Sequence, residues 1–417
     1  LTKGGLFLGI YLGISPVYWF SSIPPNAIAA GKLTVIVFAV LAIWGGSSGK
    51  QGVTFAKGVY GPLFVLLLII TMIPGFVQSS INPILYSIQS VLMGFVTLWT
   101  VFLYIRRGGN IIPVLYVAAL LLLPFAILAI SANIFGVPNW QSTISELQTL
   151  AEAGLGGQRV GWSVGLAMIF PTLLFVAESS ARSNLARWVL YVIPSCGIIL
   201  GSQLAVGGRT GLTASLFTLF VFICRRRPSK GIFVILASIL LFSFLNKEWT
   251  GNRLRMDRME GARSIQDLDY FSAGRISYNL LAIDMISERP FSGYGFTSDI
   301  DWYSGQAVHN LWLKLAVQSG VMLPLAFALF VFCVTRDAWR LLRNTNWQHT
   351  SVDNQLAFAL LLTIITGIII TMAEPSVVLG VFQPSAMWWA TAGVVKGLIE
   401  NQRQASGGSP NFNPSIC

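Results

Sequence analysis

The chain has 417 residues, of which 54% are hydrophobic and only 10% charged, with a mean hydropathy of +0.69. Soluble domains carry about a quarter of their residues as charges, so this composition excludes a water-soluble globular protein and indicates a polytopic helical membrane protein. The formal net charge of +11 does not indicate a nucleic-acid partner, because the basic residues are scattered singly along membrane edges, as expected of a topology signal and of attraction to anionic lipid headgroups.

Apolar stretches of about 20 residues are long enough to cross a hydrocarbon core. In chain order they predict twelve spans near 5–22, 32–48, 59–77, 83–105, 111–131, 160–178, 186–204, 209–224, 231–246, 321–336, 354–373 and 384–399. With the N-terminus in the cytoplasm, this count places Lys3, Lys50, Arg106, Arg107, Arg225, Arg226, Arg227, Arg336, Arg340 and Lys396 on one side and leaves the short outer loops nearly free of Lys and Arg. The first span is expected to serve as the insertion signal. The four cysteines, Cys196, Cys224, Cys333 and Cys417, form no CxxC pair, so neither a disulfide framework nor a zinc site is indicated.

Two outer segments exceed simple connectors. Residues 1–245 would hold nine spans and a loop near 132–159, in which Ile144, Leu147 and Leu150 suggest a short interfacial helix. Residues 246–320 hold 9 of the 16 acidic residues and 8 of the 27 basic ones, which makes this segment a helical subdomain outside the membrane and the expected catalytic loop. It divides into a basic stretch (Arg253, Arg255, Arg258, Arg263), a helix from about 275 to 287 stopped by Pro290, a Gly-rich turn, and a helix from about 309 to 319 ended by Gly320. Three spans follow over 321–400, and 401–417 reads as a disordered tail.

Chemistry is sought among the few charges at membrane edges, since charge near lipid is expensive. Arg209 follows Gly207 and Gly208 at the start of a span. A helix N-terminus with an added arginine suits phosphate, and the glycines would let backbone approach a ligand. Equally, Arg209 snorkels to headgroups. Arg275 repeats the Gly-Arg-helix arrangement, with Ser272 as a cap; two such forks can grip a diphosphate, or Arg275 forms a salt bridge with Asp267 or Asp269.

His309 opens a predicted helix, whose positive end favours the neutral ring, the form that accepts a proton as a general base. A lone histidine is also commonly structural. One histidine without cysteines or clustered carboxylates speaks against a catalytic metal, and no cofactor is indicated. Arg159 before Gly161 is a third Gly-Arg-helix site. Arg289 and Tyr294 lie near the turn Gly293-Tyr294-Gly295, where Tyr294 either stacks on sugar or anchors at the interface. Glu374, before Pro375, is a charge at the outer edge able to orient a sugar or a catalytic residue.

Gly208-Arg209-Thr210-Gly211-Leu212, Gly274-Arg275, Pro290-Phe291-Ser292-Gly293-Tyr294-Gly295 and His309-Asn310-Leu311-Trp312-Leu313 followed by Gly320 together resemble the O-antigen ligase and O-antigen polymerase superfamily. The resemblance covers about 200 to 336. It implies an all-α, GT-C type integral glycosyltransferase of the bacterial inner membrane, with its active site on the periplasmic face. Such an enzyme moves a glycan from undecaprenyl diphosphate to an acceptor hydroxyl, inverting and without metal. The acceptor would be lipid A-core for a ligase and a second lipid-linked glycan for a polymerase. The resemblance makes His309 the base and sets Arg209 and Arg275 on the diphosphate, with Arg159, Arg289, Asn310 and Tyr294 as further substrate contacts. The competing class is a transporter or flippase of lipid-linked glycans, but that class places ionisable groups near the midplane and shows repeated halves. Here the charges lie at the rim and no repeat is visible.

Overall fold

The computed structural model describes residues 2–15, 25–45, 60–77, 81–134, 157–181, 185–205, 208–226, 275–295, 308–345, 351–374 and 386–407. All regular structure among them is helical. Five helices precede the first long outer segment: α1 (Lys3–Ile14), α2 (Pro25–Gly45), α3 (Tyr60–Val77), α4 (Ile81–Arg106) and α5 (Ile111–Ile134). Three more, α6 (Gly157–Ala181), α7 (Leu185–Ala205) and α8 (Arg209–Arg226), lead to the second segment. That segment contributes α9 (Arg275–Glu288) and α10 (Leu311–Ser319), and α11 (Met322–Asn344), α12 (Val352–Thr371) and α13 (Ala386–Gly407) close the chain.

Eleven of the twelve expected spans coincide with a helix, and the one at 231–246 lies outside the described residues. The span count itself needs correction among those residues. Four segments, Tyr60–Val77, Trp162–Ser180, Met322–Asn344 and Val352–Thr371, are long and apolar enough to cross a membrane, while Lys3–Ile14, Leu33–Trp44, Val91–Arg106, Ile111–Ile127 and Leu190–Leu204 are apolar but shorter. Charge explains two of the shortfalls: α8 carries Arg209, Arg225 and Arg226, and α13 carries Lys396, Glu400 and Arg403. The tail also differs from expectation, since α13 continues to Gly407. The 135–156 loop and the 253–263 basic stretch lie outside the described residues.

The outer surface of the bundle is apolar in the manner of a membrane-embedded protein. Leu325, Leu329 and Phe332 on α11, with Val65, Leu66 and Ile69 on α3, are exposed, and α11 buries Phe327, Phe330 and Val334 on its other side. Without water to drive burial, helix association rests on close packing of small residues. A Cβ at Gly393 of α13 would stand 2.3 Å from the Leu98 carbonyl oxygen of α4, and one at Gly397 would stand 2.9 Å from Ile105. The spacing of four between Gly393 and Gly397 is the small-residue pattern that lets two helix backbones meet.

The two ends of the bundle differ in charge. At one end Arg106 donates to Asn401 and Gln404, Arg336 pairs with Asp337 at 3.1 Å, and Lys396 pairs with Glu400 at 2.7 Å. The opposite end gathers the N-termini of α8, α11 and α13 and the C-terminus of α12. There α10 packs on α9, α11 and α3. Beneath it lies an aromatic cluster in which the Trp312 and Phe327 rings are 5.5 Å apart, Phe330 is 6.2 Å from Trp388, and Trp388 meets Trp389 edge-on at 5.3 Å. Leu311 and Leu315 extend the same core into α10, so this short helix is fixed by burial rather than by its own length.

Gly393→Val is expected to part α4 from α13 and abolish a monodisperse peak in detergent. Gly197→Ala, whose added methyl meets nothing within 4 Å, should leave the melting temperature unchanged or raise it slightly.

Candidate active site

Three helix starts meet at one carboxylate. Glu374 follows α12, where its amide donates to the Ile370 carbonyl at 2.9 Å, and its side chain is 3% exposed. Arg275, the first residue of α9, donates from Nη2 to Glu374 Oε1 at 2.8 Å. Thr210, beside Arg209 in the first turn of α8, donates from Oγ1 to the same oxygen at 3.1 Å. The other oxygen, Oε2, stands 3.8 Å from His309 Nδ1. That separation is longer than a hydrogen bond, and Nδ1 is buried without a hydrogen-bond partner. The side chain as a whole is 28% exposed, so its open part lies away from Nδ1.

A buried carboxylate costs several kcal/mol unless paired. Here the compensation is local: one guanidinium, one hydroxyl and the positive ends of α8 and α9 face it. Removing Arg275 would leave Glu374 uncompensated, at a cost of about 3 kcal/mol or more. Arg275 pairs with Glu374, 99 residues away; Asp267 and Asp269, the salt-bridge partners the sequence offered, lie outside the described residues.

Gly207 lies outside the described residues, and Gly208 has a packing role together with Gly211 inside α8. A Cβ at Gly208 would fall 2.2 Å from Ser163 Oγ, and one at Gly211 would fall 2.2 Å from the same atom. Ser163 Oγ donates to the Gly208 carbonyl at 2.9 Å, and Gln203 Nε2 donates to the Ser163 carbonyl at 2.8 Å and to Ser215 Oγ at 2.9 Å. Gly208 and Gly211 therefore admit α6 rather than a ligand, and this polar knot sets where α8, and with it Arg209, begins. Arg209 is half-buried.

Asn310 is the N-cap of α10. Its Oδ1 accepts from the amides of Trp312 at 2.9 Å and Leu313 at 3.2 Å, and His309 sits immediately before this cap. At the other end, the Pro290–Gly295 turn is tied to α10 by three bonds. Tyr294 N donates to the Val317 carbonyl, Gly295 N to the Gln318 carbonyl and Val321 N to the Pro290 carbonyl, each at 2.8 Å. Gly293 (φ 60°) and Gly320 (φ 75°) adopt left-handed backbone, and a Cβ on either would lie 2.5 Å from backbone across the junction. This is the physical content of the Gly-Tyr-Gly and Gly320 motifs: they weld α9 to α10.

Arg289 and Tyr294 are brought together, but as a pair of their own. The Arg289 guanidinium lies 4.6 Å from the Tyr294 ring centroid, and the Tyr294 hydroxyl donates to Glu288 Oε2 at 2.5 Å. Arg159 lies in the first turn of α6, and its side chain is outside the described residues, as is Ser272. Among the described residues no three His, Cys, Asp or Glu side chains cluster to hold a metal. Two further residues carry weight, the first of them an edge charge that the sequence offered as able to orient a catalytic residue. Glu374 is the hub, and Lys314, on α10, is half-buried with its amine pushed down to about 8 by burial.

Compared with known proteins, the chain matches no protein-family model, and no curated protein shows significant similarity to it.

Asn310→Ala is expected to cost about 1 kcal/mol, read as a lower melting temperature, and Asn310→Asp should restore it. The lowered Lys314 value gives a pH test. The folded state disfavours the charged amine, so the penalty is present below pH 8 and fades as pH rises toward the unfolded value of about 10.4. Lys314→Met should therefore melt higher than wild type at pH 7, with the gap closing by about pH 10.

Proposed function

We propose that this chain is an inverting membrane glycosyltransferase of the O-antigen ligase or polymerase type. In this reading it is a polytopic protein of the bacterial inner membrane with a GT-C type fold and the site on the periplasmic face. The observation that carries the reading is the meeting of Thr210, Arg275 and His309, from three separate helix starts, at the Glu374 carboxylate. A structural salt bridge alone has no need of a histidine whose Nδ1 faces the second oxygen.

The chemistry follows from the two faces of the imidazole. With its proton on Nδ1, toward Glu374 Oε2, the ring presents the Nε2 lone pair to an acceptor hydroxyl. Nε2 takes the hydroxyl proton as the acceptor oxygen bonds to the anomeric carbon, and the bond from that carbon to the diphosphate oxygen breaks. The diphosphate departs with the electron pair, on the side opposite the incoming oxygen, so the centre inverts. Glu374 stabilises the imidazolium that forms and fixes the ring, the role a buried carboxylate plays toward a catalytic histidine. Arg209 and Arg275 meet the charge that develops on the diphosphate. A guanidinium has five N–H donors, enough to hold Glu374 and contact phosphate together. The acceptor is lipid A-core for a ligase and a second lipid-linked glycan for a polymerase.

Purified protein is to be given an undecaprenyl-diphosphate oligosaccharide, with lipid A-core or the donor itself as acceptor. His309→Ala should lower transfer by about 10²–10⁴-fold, the usual worth of a general base, while the protein remains folded. Near wild-type transfer in this variant would remove the base assignment. Glu374→Gln keeps an acceptor for Thr210 but loses the charge, and should reduce the rate of transfer more than donor affinity. Arg275→Lys is expected to rescue Arg275→Ala poorly, because the fork is lost. Chelator should leave transfer intact.

A further inference from the structure

Unpartnered buried polar atoms concentrate beside the candidate base. Of the eight such side-chain atoms among the described residues, five belong to Asn279, His309, Trp312, Gln318 and Ser319, all on α9, on α10 or immediately before it. Buried polar groups are nearly always satisfied by protein or water, so this concentration marks a place where something else supplies the partners.

The helix geometry sorts these atoms. Residues four apart share a face, so Asn310, Lys314 and Gln318 form one polar stripe along α10, leading away from His309. On one side of it Leu311 and Leu315 enter the main core, and on the other Leu313 and Val317 pack with Ala282 and Met285 of α9. Gln318 is 1% exposed and its Nε2 has no partner. Lys314 is half-buried, and no carboxylate contributes to the electrostatics of its amine, only desolvation. The far end of the stripe is closed by the turn, where Gly295 N donates to the Gln318 carbonyl. Asn310 is occupied with its cap, so what remains is an ammonium and an amide N–H, both donors and neighbours on one face, of which the buried Gln318 Nε2 has no acceptor.

We propose that the Lys314–Gln318 stripe is a subsite for an oxyanion carried by the glycan, a uronate carboxylate or a sugar-borne phosphate, separate from the diphosphate grip at Arg209 and Arg275. Lys314 stands four residues beyond the Asn310 cap, about 6 Å along the helix axis, so the anion belongs to a sugar near the reacting one. The subsite makes the preferred substrate an acidic glycan. It rests on the glycosyltransferase reading, but its binding component does not depend on turnover.

The test is isothermal titration of the full chain in detergent with three probes: a uronate oligosaccharide, a phosphorylated oligosaccharide and a neutral oligosaccharide of the same length. Wild type should bind at least one charged probe about ten-fold more tightly than the neutral one, and which charged probe wins identifies the oxyanion. Lys314→Met should erase that preference, Lys314→Arg should keep most of it, and Gln318→Leu should weaken it. Since Lys314→Met removes a desolvated charge, its melting temperature serves to confirm folding. Equal binding of charged and neutral probes, absence of binding by both charged probes, or an undiminished preference in folded Lys314→Met would overturn the subsite. Failure of transfer with intact anion preference would instead count against the glycosyltransferase reading alone.

Discussion

The carboxylate of Glu374 is the constraint on which the rest of this site depends. A charge with 3% exposure is tolerated only if its surroundings are assembled around it, and here they come from α8, α9 and the residue before Asn310. Each of those elements joins the bundle elsewhere: α8 through Ser163 and Gln203, α10 through Leu311, Leu315 and the aromatic cluster, α9 through the welded turn. The site is therefore over-determined, and one oxygen of the carboxylate is spent on holding it together while the other is left facing the histidine.

This division suits a catalytic role. Oε1 accepts from both Arg275 and Thr210, which fixes the carboxylate plane, and Oε2 lies near His309 without bonding to it. An imidazole that must gain and lose a proton is better served by such a neighbour than by a tight ion pair, because the interaction strengthens only when the ring becomes charged. The distance of 3.8 Å is short enough for that gain through a modest rotation of the ring.

The sequence revealed helix starts better than it revealed partners. Arg209, Arg275 and His309 stood out because charges and histidines are scarce in an apolar chain and because glycines and prolines punctuate it; the helices beginning at Arg275 and Leu311 lie where the pattern put them. Pairings across 99 or 164 residues leave no local trace, so Glu374 read as an edge charge able to orient a sugar or a catalytic residue, with neither Arg275 nor Thr210 legible as its partner. Gly208 looked like room for a ligand because nothing in the sequence shows that Ser163 fills that room. Asn310 carried a legible N-cap signal, and its side-chain oxygen caps α10. Lys314 reads as any surface lysine until the fold desolvates it. Spans were legible as apolar stretches, but arginines in α8 and charges in α13 keep those helices from qualifying by composition.

The weld between α9 and α10 also bears on motion. Because the Tyr294, Gly295 and Val321 amides bond across that junction, Arg275 at the head of one helix and His309 at the head of the other are geared to each other: a displacement that opens the arginine toward lipid must carry the histidine with it. Under the proposed glycosyl-transfer reading, the grip on the departing group and the base that activates the incoming one would engage and release in a single movement, with no stage at which an activated donor is held while water has independent access to the base.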